Sequence, residues 1–90
     1  MSYQIQLDAR SRVAGRFIGT TYDELRAAFK RSGKTQQQVA DLLGVDKAVI
    51  HHRLNGTENL TLRTLAEMAW AIDHEIKIDF RCATSPIIEG

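Results

Sequence analysis

The strongest constraint on this chain is a set of helix start and stop signals at short, regular spacing between Thr35 and Thr61. Thr35-Gln-Gln-Gln38 is a capping box, in which the Thr hydroxyl and the Gln side chain each satisfy one free N–H of a helix start. Gly44 ends that helix, because glycine turns through positive φ at little steric cost. Asp46 can cap a third helix ending at Gly56, and Thr61 a fourth. Upstream, Thr21-Tyr-Asp-Glu24 reads as another capping box, opening a helix that carries Tyr22, Leu25 and Phe29 and stops at Gly33. Two short helices joined across Gly44-Val45 cross steeply. Ala40 leaves room for the close approach.

The inward residues follow from the 3.6-residue period. They are Val39, Ala40 and Leu43 on the second helix, and Val49, Ile50 and Leu54 on the third. On the fourth, Leu62, Leu65, Ala66, Ala69 and Ile72 form one stripe. At both ends the period changes to two. Tyr3-Gln-Ile5-Gln-Leu7-Asp8 and Glu75-Ile76-Lys77-Ile78-Asp79-Phe80 alternate as half-buried strands do. The expected fold is mainly α, with four helices flanked by N- and C-terminal β-strands that pair as a small sheet, within one chain or across a dimer. The division is 1–19 (strand and basic arm with Arg10, Arg12 and Arg16), 20–73 (helical domain) and 74–90 (strand and tail).

Composition sets outer limits. Ninety residues make one domain, and 43% hydrophobic with 26% charged residues is a globular balance. No apolar run approaches the ~20 residues of a membrane helix, and no signal peptide is evident at the start. The single Cys82 cannot close an internal disulfide, so a reducing, cytoplasmic address is expected. Charge is unevenly placed: residues 1–63 hold ten Lys/Arg against six Asp/Glu, a net of +4, and residues 64–90 hold two against five, a net of −3. The first part is suited to anions.

With one face of the third helix facing inward, Lys47, Ala48, His51, His52 and Asn55 are left to meet another surface. At this point the sequence resembles the lambda-repressor/Cro-like helix-turn-helix family, also called XRE. The match is Gln36-x-x-x-Ala40-x-x-x-Gly44-x-x-x-x-x-Ile50 with the Asn55-Gly56 end, and the resemblance covers about Thr21 to Ile72. Arg53 departs from the pattern, which usually has an apolar residue or Trp there; its stem is expected to pack while its head reaches water. The resemblance implies a lambda-repressor-like four-helix domain that places its third helix in the major groove of double-stranded DNA. Lys47, Ala48 and His52 then match positions facing base edges, flanked by Asp46, His51 and Asn55. Gln36 and Gln37 stand at the start of the second helix, and Thr61 and Arg63 at the start of the fourth, where free N–H groups favour phosphate.

No nucleophile–base pair, carboxylate pair in a cleft or glycine-rich phosphate loop is apparent, so no enzyme, cofactor or metal is expected. Adjacent His51 and His52 diverge by ~100° on a helix, which is poor metal-chelating geometry. Asp73-His74-Glu75 lies at an element junction where successive side chains point apart. The functions to weigh are a DNA-binding transcriptional regulator, most simply a homodimeric repressor; an antitoxin that binds a toxin protein and autoregulates its operon; and a protein-interaction module whose helix-turn-helix does not bind DNA.

Overall fold

A computed structural model describes residues 2–56 and 59–82, with side chains from residue 8 onward. The chain forms α1 (Ser2–Ser32), α2 (Gln36–Leu43), α3 (Lys47–Asn55) and α4 (Leu62–Ala71), followed by a segment without regular secondary structure through Cys82. The molecule measures 49 × 28 × 19 Å. A 31-residue helix is roughly 46 Å long, so α1 accounts for the long dimension.

The core sits where four elements converge. Leu25 and Ala28 of α1, Val39 and Ala40 of α2, Ile50 and Leu54 of α3, and Met68, Ala71 and Ile72 at α4 form one buried cluster. Val39, Ile50 and Met68 are fully enclosed, each worth about 1.5–3 kcal/mol of transfer free energy. Ala40 is also completely buried, as the close approach of α2 and α3 demands. Leu43, Val45, Phe29, Leu60 and Leu65 pack around this cluster.

Two long-range bonds tie the helices together. Arg26 of α1 donates from Nη1 to the Leu54 carbonyl at 2.7 Å and pairs through Nη2 with Asp23 at 2.7 Å. Lys34, after α1, donates to the Ala71 carbonyl at 2.7 Å and lies 3.2 Å from the Asp73 carboxylate. Asp73 follows α4 at φ 61°, a left-handed position that Asp tolerates better than most residues. The reversal there is closed by His74 N–H bonding to the Ala69 carbonyl at 2.8 Å.

The flanking strands expected from sequence are not formed. Residues Tyr3–Leu7 belong to α1, which runs unbroken from Ser2. Gly15 and Gly19 weaken this stretch, but it contains no proline and no positive-φ turn to stop it. Thr21 is therefore not a cap; its hydroxyl donates to the Phe17 carbonyl one turn back, at 2.7 Å. Residues 74–82 have no regular secondary structure and pair with no strand among the described residues. Alternation there supplies the right side chains without a neighbouring ladder, and a strand needs both. Of the expected α4 stripe, Ala69 and Ile72 are buried and Leu65 is half-buried, but Leu62 is 75% exposed and Ala66 is exposed, and Met68 and Ala71 are buried in their stead. The tail from Ala83 to Gly90 lies outside the described residues.

Candidate nucleic-acid interface

The motif is assembled from local chemistry. At the start of α2 the Thr35 hydroxyl accepts from Gln38 N–H at 3.1 Å, and Gln38 Oε1 accepts from Thr35 N–H at 2.8 Å, completing the capping box. At its end Gly44 takes φ 69°, and the Val45 N–H bonds back to the Ala40 carbonyl at 3.0 Å. This closed turn aims α3 across α2. Asp46 occupies the N-cap position of α3, but its carboxylate makes no capping bond and stays exposed. Gly56 ends α3 at φ 71°, with its Cα side facing the Tyr22 ring.

On α3 the burial pattern separates two faces. Ile50 and Leu54 are buried, and Val49 and Arg53 are half-buried. Lys47, Ala48, His51, His52 and Asn55 are all exposed. At about 100° per residue those five fall within an arc of ~140°, so they form one continuous outward face. Ala48, being small, leaves a shallow point between longer neighbours. Asn55 Nδ2 and His51 Nε2 are 2.8 Å apart. With the amide donating, the imidazole accepts there, and the Asn55 carbonyl oxygen and second N–H remain for an outside partner. The His51 and His52 rings meet edge-on at 6.0 Å and 67°.

The remaining expected residues stand at helix starts. Gln36 is half-buried in the first turn of α2; exposed Gln37 is engaged within the helix, donating to Asp41 at 2.9 Å. Thr61 caps α4, accepting from Thr64 N–H at 3.0 Å, and Arg63 is exposed in its first turn. Free N–H groups and the positive dipole end of each helix favour an anion at both places.

Three residues positioning this face were not apparent from sequence. Arg26 holds the last turn of α3 to α1, and Lys34 holds the α1–α2 junction to the end of α4. Arg53 is half-buried, as a packed stem requires. Its Nη1 lies 3.9 Å from the sulfur of buried Met68, a contact between α3 and α4. Bonds spanning 28 and 37 residues leave no local spacing signal. Asp73, His74 and Glu75 do not converge as a reactive group: Asp73 pairs with Lys34, and the His74 ring is held to the Ile72 carbonyl at 2.7 Å. Among the described residues no three His, Cys, Asp or Glu side chains could together hold a metal ion, and no helix is long and apolar enough to cross a membrane.

Neither the curated proteins nor the solved structures give a match to this chain. A family model described as helix-turn-helix matches residues 25–73, from the packed part of α1 through the turn after α4 and over more than half of the chain. With the closed Gly44 turn and the outward face of α3 in that span, the chain belongs to the Cro/C1-type helix-turn-helix (XRE) family of DNA-binding transcriptional regulators.

Proposed function

We propose that this chain is a sequence-specific repressor acting as a homodimer, with α3 of each copy in the major groove of one half-site. The observation that carries this reading is the ~140° outward arc of Lys47, Ala48, His51, His52 and Asn55 on a helix whose other side is fixed in the core. Lys47 donates to guanine O6/N7 or to a phosphate, His52 reaches base edges, and Ala48 admits a thymine methyl. Asp46, His51 and Asn55 border that set. Gln36, Gln37, Thr61 and Arg63 bring the N-terminal turns of α2 and α4 to the backbone on either side. A single recognition helix gives few contacts, so two copies on half-sites about one turn, ~34 Å, apart supply the specificity. Repression then follows from occupancy: a bound dimer blocks polymerase.

Selection of bound duplexes from a random pool tests this, and a recovered palindromic site is the expected result. On that site Lys47→Ala and His52→Ala should each cost roughly 1–3 kcal/mol, with smaller losses on random DNA. Log affinity should fall with log salt at a slope of about −0.9 per phosphate neutralised. Failure to enrich any duplex would refute the reading in favour of a protein-interaction module.

A further inference from the structure

The half of α1 beyond the core has no cover in its own chain and lies outside the residues matched by the family model. From residue 8 to residue 20 every side chain is exposed except Ala9, which is half-buried. This stretch carries Arg10, Arg12 and Arg16 against Asp8, a net of +2. None of the three arginines has an ion-pair partner among the described residues. The DNA-facing surface built from α2, α3 and α4 uses none of them.

The course of α1 places these charges relative to α3. Two helix starts that favour anions flank α3, those of α2 and α4. The α2 start follows directly on the end of α1. At the α4 start, Leu60 and Leu62 line one groove with Phe17 and Ile18 of α1. α1 therefore runs from one flank to the other, and residues 8–16 continue past the second. The side of α1 that faces α3 is fixed by Arg26, whose Nη1 donates to the Leu54 carbonyl in the last turn of α3. At about 100° per residue, Arg12 lies ~40° and Arg16 ~80° from Arg26 around the helix, whereas Arg10 lies ~160° away. Along the axis Arg16 and Arg12 stand roughly 15 and 21 Å beyond Arg26. Arg26 already meets the end of α3, and both arginines farther along that side are exposed.

We infer that Arg12 and Arg16 form a further DNA-binding site, taking backbone phosphates beyond the base pairs that α3 reads. This rests on the DNA-binding reading above and widens its footprint. A duplex presents one negative charge per ~1.7 Å of axis, so a basic helix passing the edge of the groove meets phosphates there whatever the sequence. Arginine suits this contact because its planar fork pairs with two phosphate oxygens at once. Phosphates carry no base identity, so the site adds affinity and not base choice. Titration of the full chain across about 50–200 mM salt, with the selected duplex and with a random one, tests the contact. Arg12→Ala with Arg16→Ala should make the log–log salt slope shallower by about 1.8 per bound chain, from two phosphates at about 0.9 each. The loss of affinity should be equal on both duplexes, unlike that of Lys47→Ala, which should be larger on the selected one. Arg12→Lys with Arg16→Lys keeps both charges and should restore the slope. Arg10→Ala, on the other side of the helix, should leave it nearly unchanged. All three positions are exposed, so circular dichroism should show each variant folded, and light scattering should give each the wild-type mass.

An unchanged slope in the Arg12→Ala/Arg16→Ala variant would overturn this contact and leave the reading of α3 standing. A changed mass in that variant would assign the arginines to protein association and equally reject the contact. A slope lowered as much by Arg10→Ala as by Arg12→Ala would overturn the placement on the α3 side of α1. The arginine-dependent slope on random duplex, in a chain that selects no site, would uphold the contact while removing the sequence-specific repressor reading. A chain that binds no duplex at any salt would overturn both.

Discussion

The two halves of α1 are one continuous helix held by different physics. From Tyr22 to Phe29 its inner side is set into the core, with Tyr22, Leu25 and Ala28 buried. From residue 8 to residue 20 the same backbone has almost no side-chain cover and includes Gly15 and Gly19. The packed half is helical because tertiary contacts reward it; the projecting half rests on propensity and on continuity with the packed half. The packed half also sets the position of the DNA-facing surface, since Arg26 and the Tyr22 ring meet the end of α3.

The sharpest break between the halves comes from the core. Leu25→Ala should cost about 2–4 kcal/mol by urea unfolding, as removal of a buried Leu leaves a cavity that neighbours fill only in part. Thr20→Ala, exposed in the projecting half, should stay within about 0.5 kcal/mol. Equal effects would mean that the halves are not distinct.

Next in size is the junction of α1 with α3. Gly56→Ala places an L side chain at φ 71°, with its Cβ about 3.4 Å from the Tyr22 ring. Gly44→Ala meets nothing within 4 Å at φ 69°. Both should lose roughly 1–2 kcal/mol from the left-handed backbone. At Gly56 the added methyl would stand in ordinary contact with the Tyr22 ring, so the two losses should be similar. A clearly larger loss for Gly56→Ala would show that the Tyr22 ring does not accept that contact.

What was legible in the sequence tracks this same division. Thr35, Gly44, Gly56 and Thr61 act within a few residues, so the caps and turns around α2, α3 and α4 could be placed from spacing alone. The outward residues of α3 followed from one helical period. Thr21 failed as a cap because a Thr with Glu three residues later looks the same whether a helix starts there or passes through. The alternation in Tyr3–Leu7 was overridden by the helix continuing through it. Ile76–Phe80 forms no ladder, since its expected partner had become helical. Arg26, Lys34 and Arg53 act across long sequence separations, where local pattern carries no information.

The smallest expected effect probes the projecting half directly. Gly15 and Gly19 are helical, have nothing within 4 Å of an added Cβ and do not sit at positive φ. Alanine at each therefore gains propensity without a clash, about 0.5–1 kcal/mol per site for local helix formation. If this half frays independently, the gain appears as stronger helical circular dichroism at 222 nm and slower amide exchange in residues 8–20, with little change in the urea midpoint of the core. If the half is instead covered by association of chains, the helix is already saturated. The two substitutions would then leave the 222 nm signal of the dimer unchanged and raise it only after dilution to monomers. A concentration series on the Gly15→Ala/Gly19→Ala variant thus measures how much of the order in this helix is intrinsic and how much comes from association.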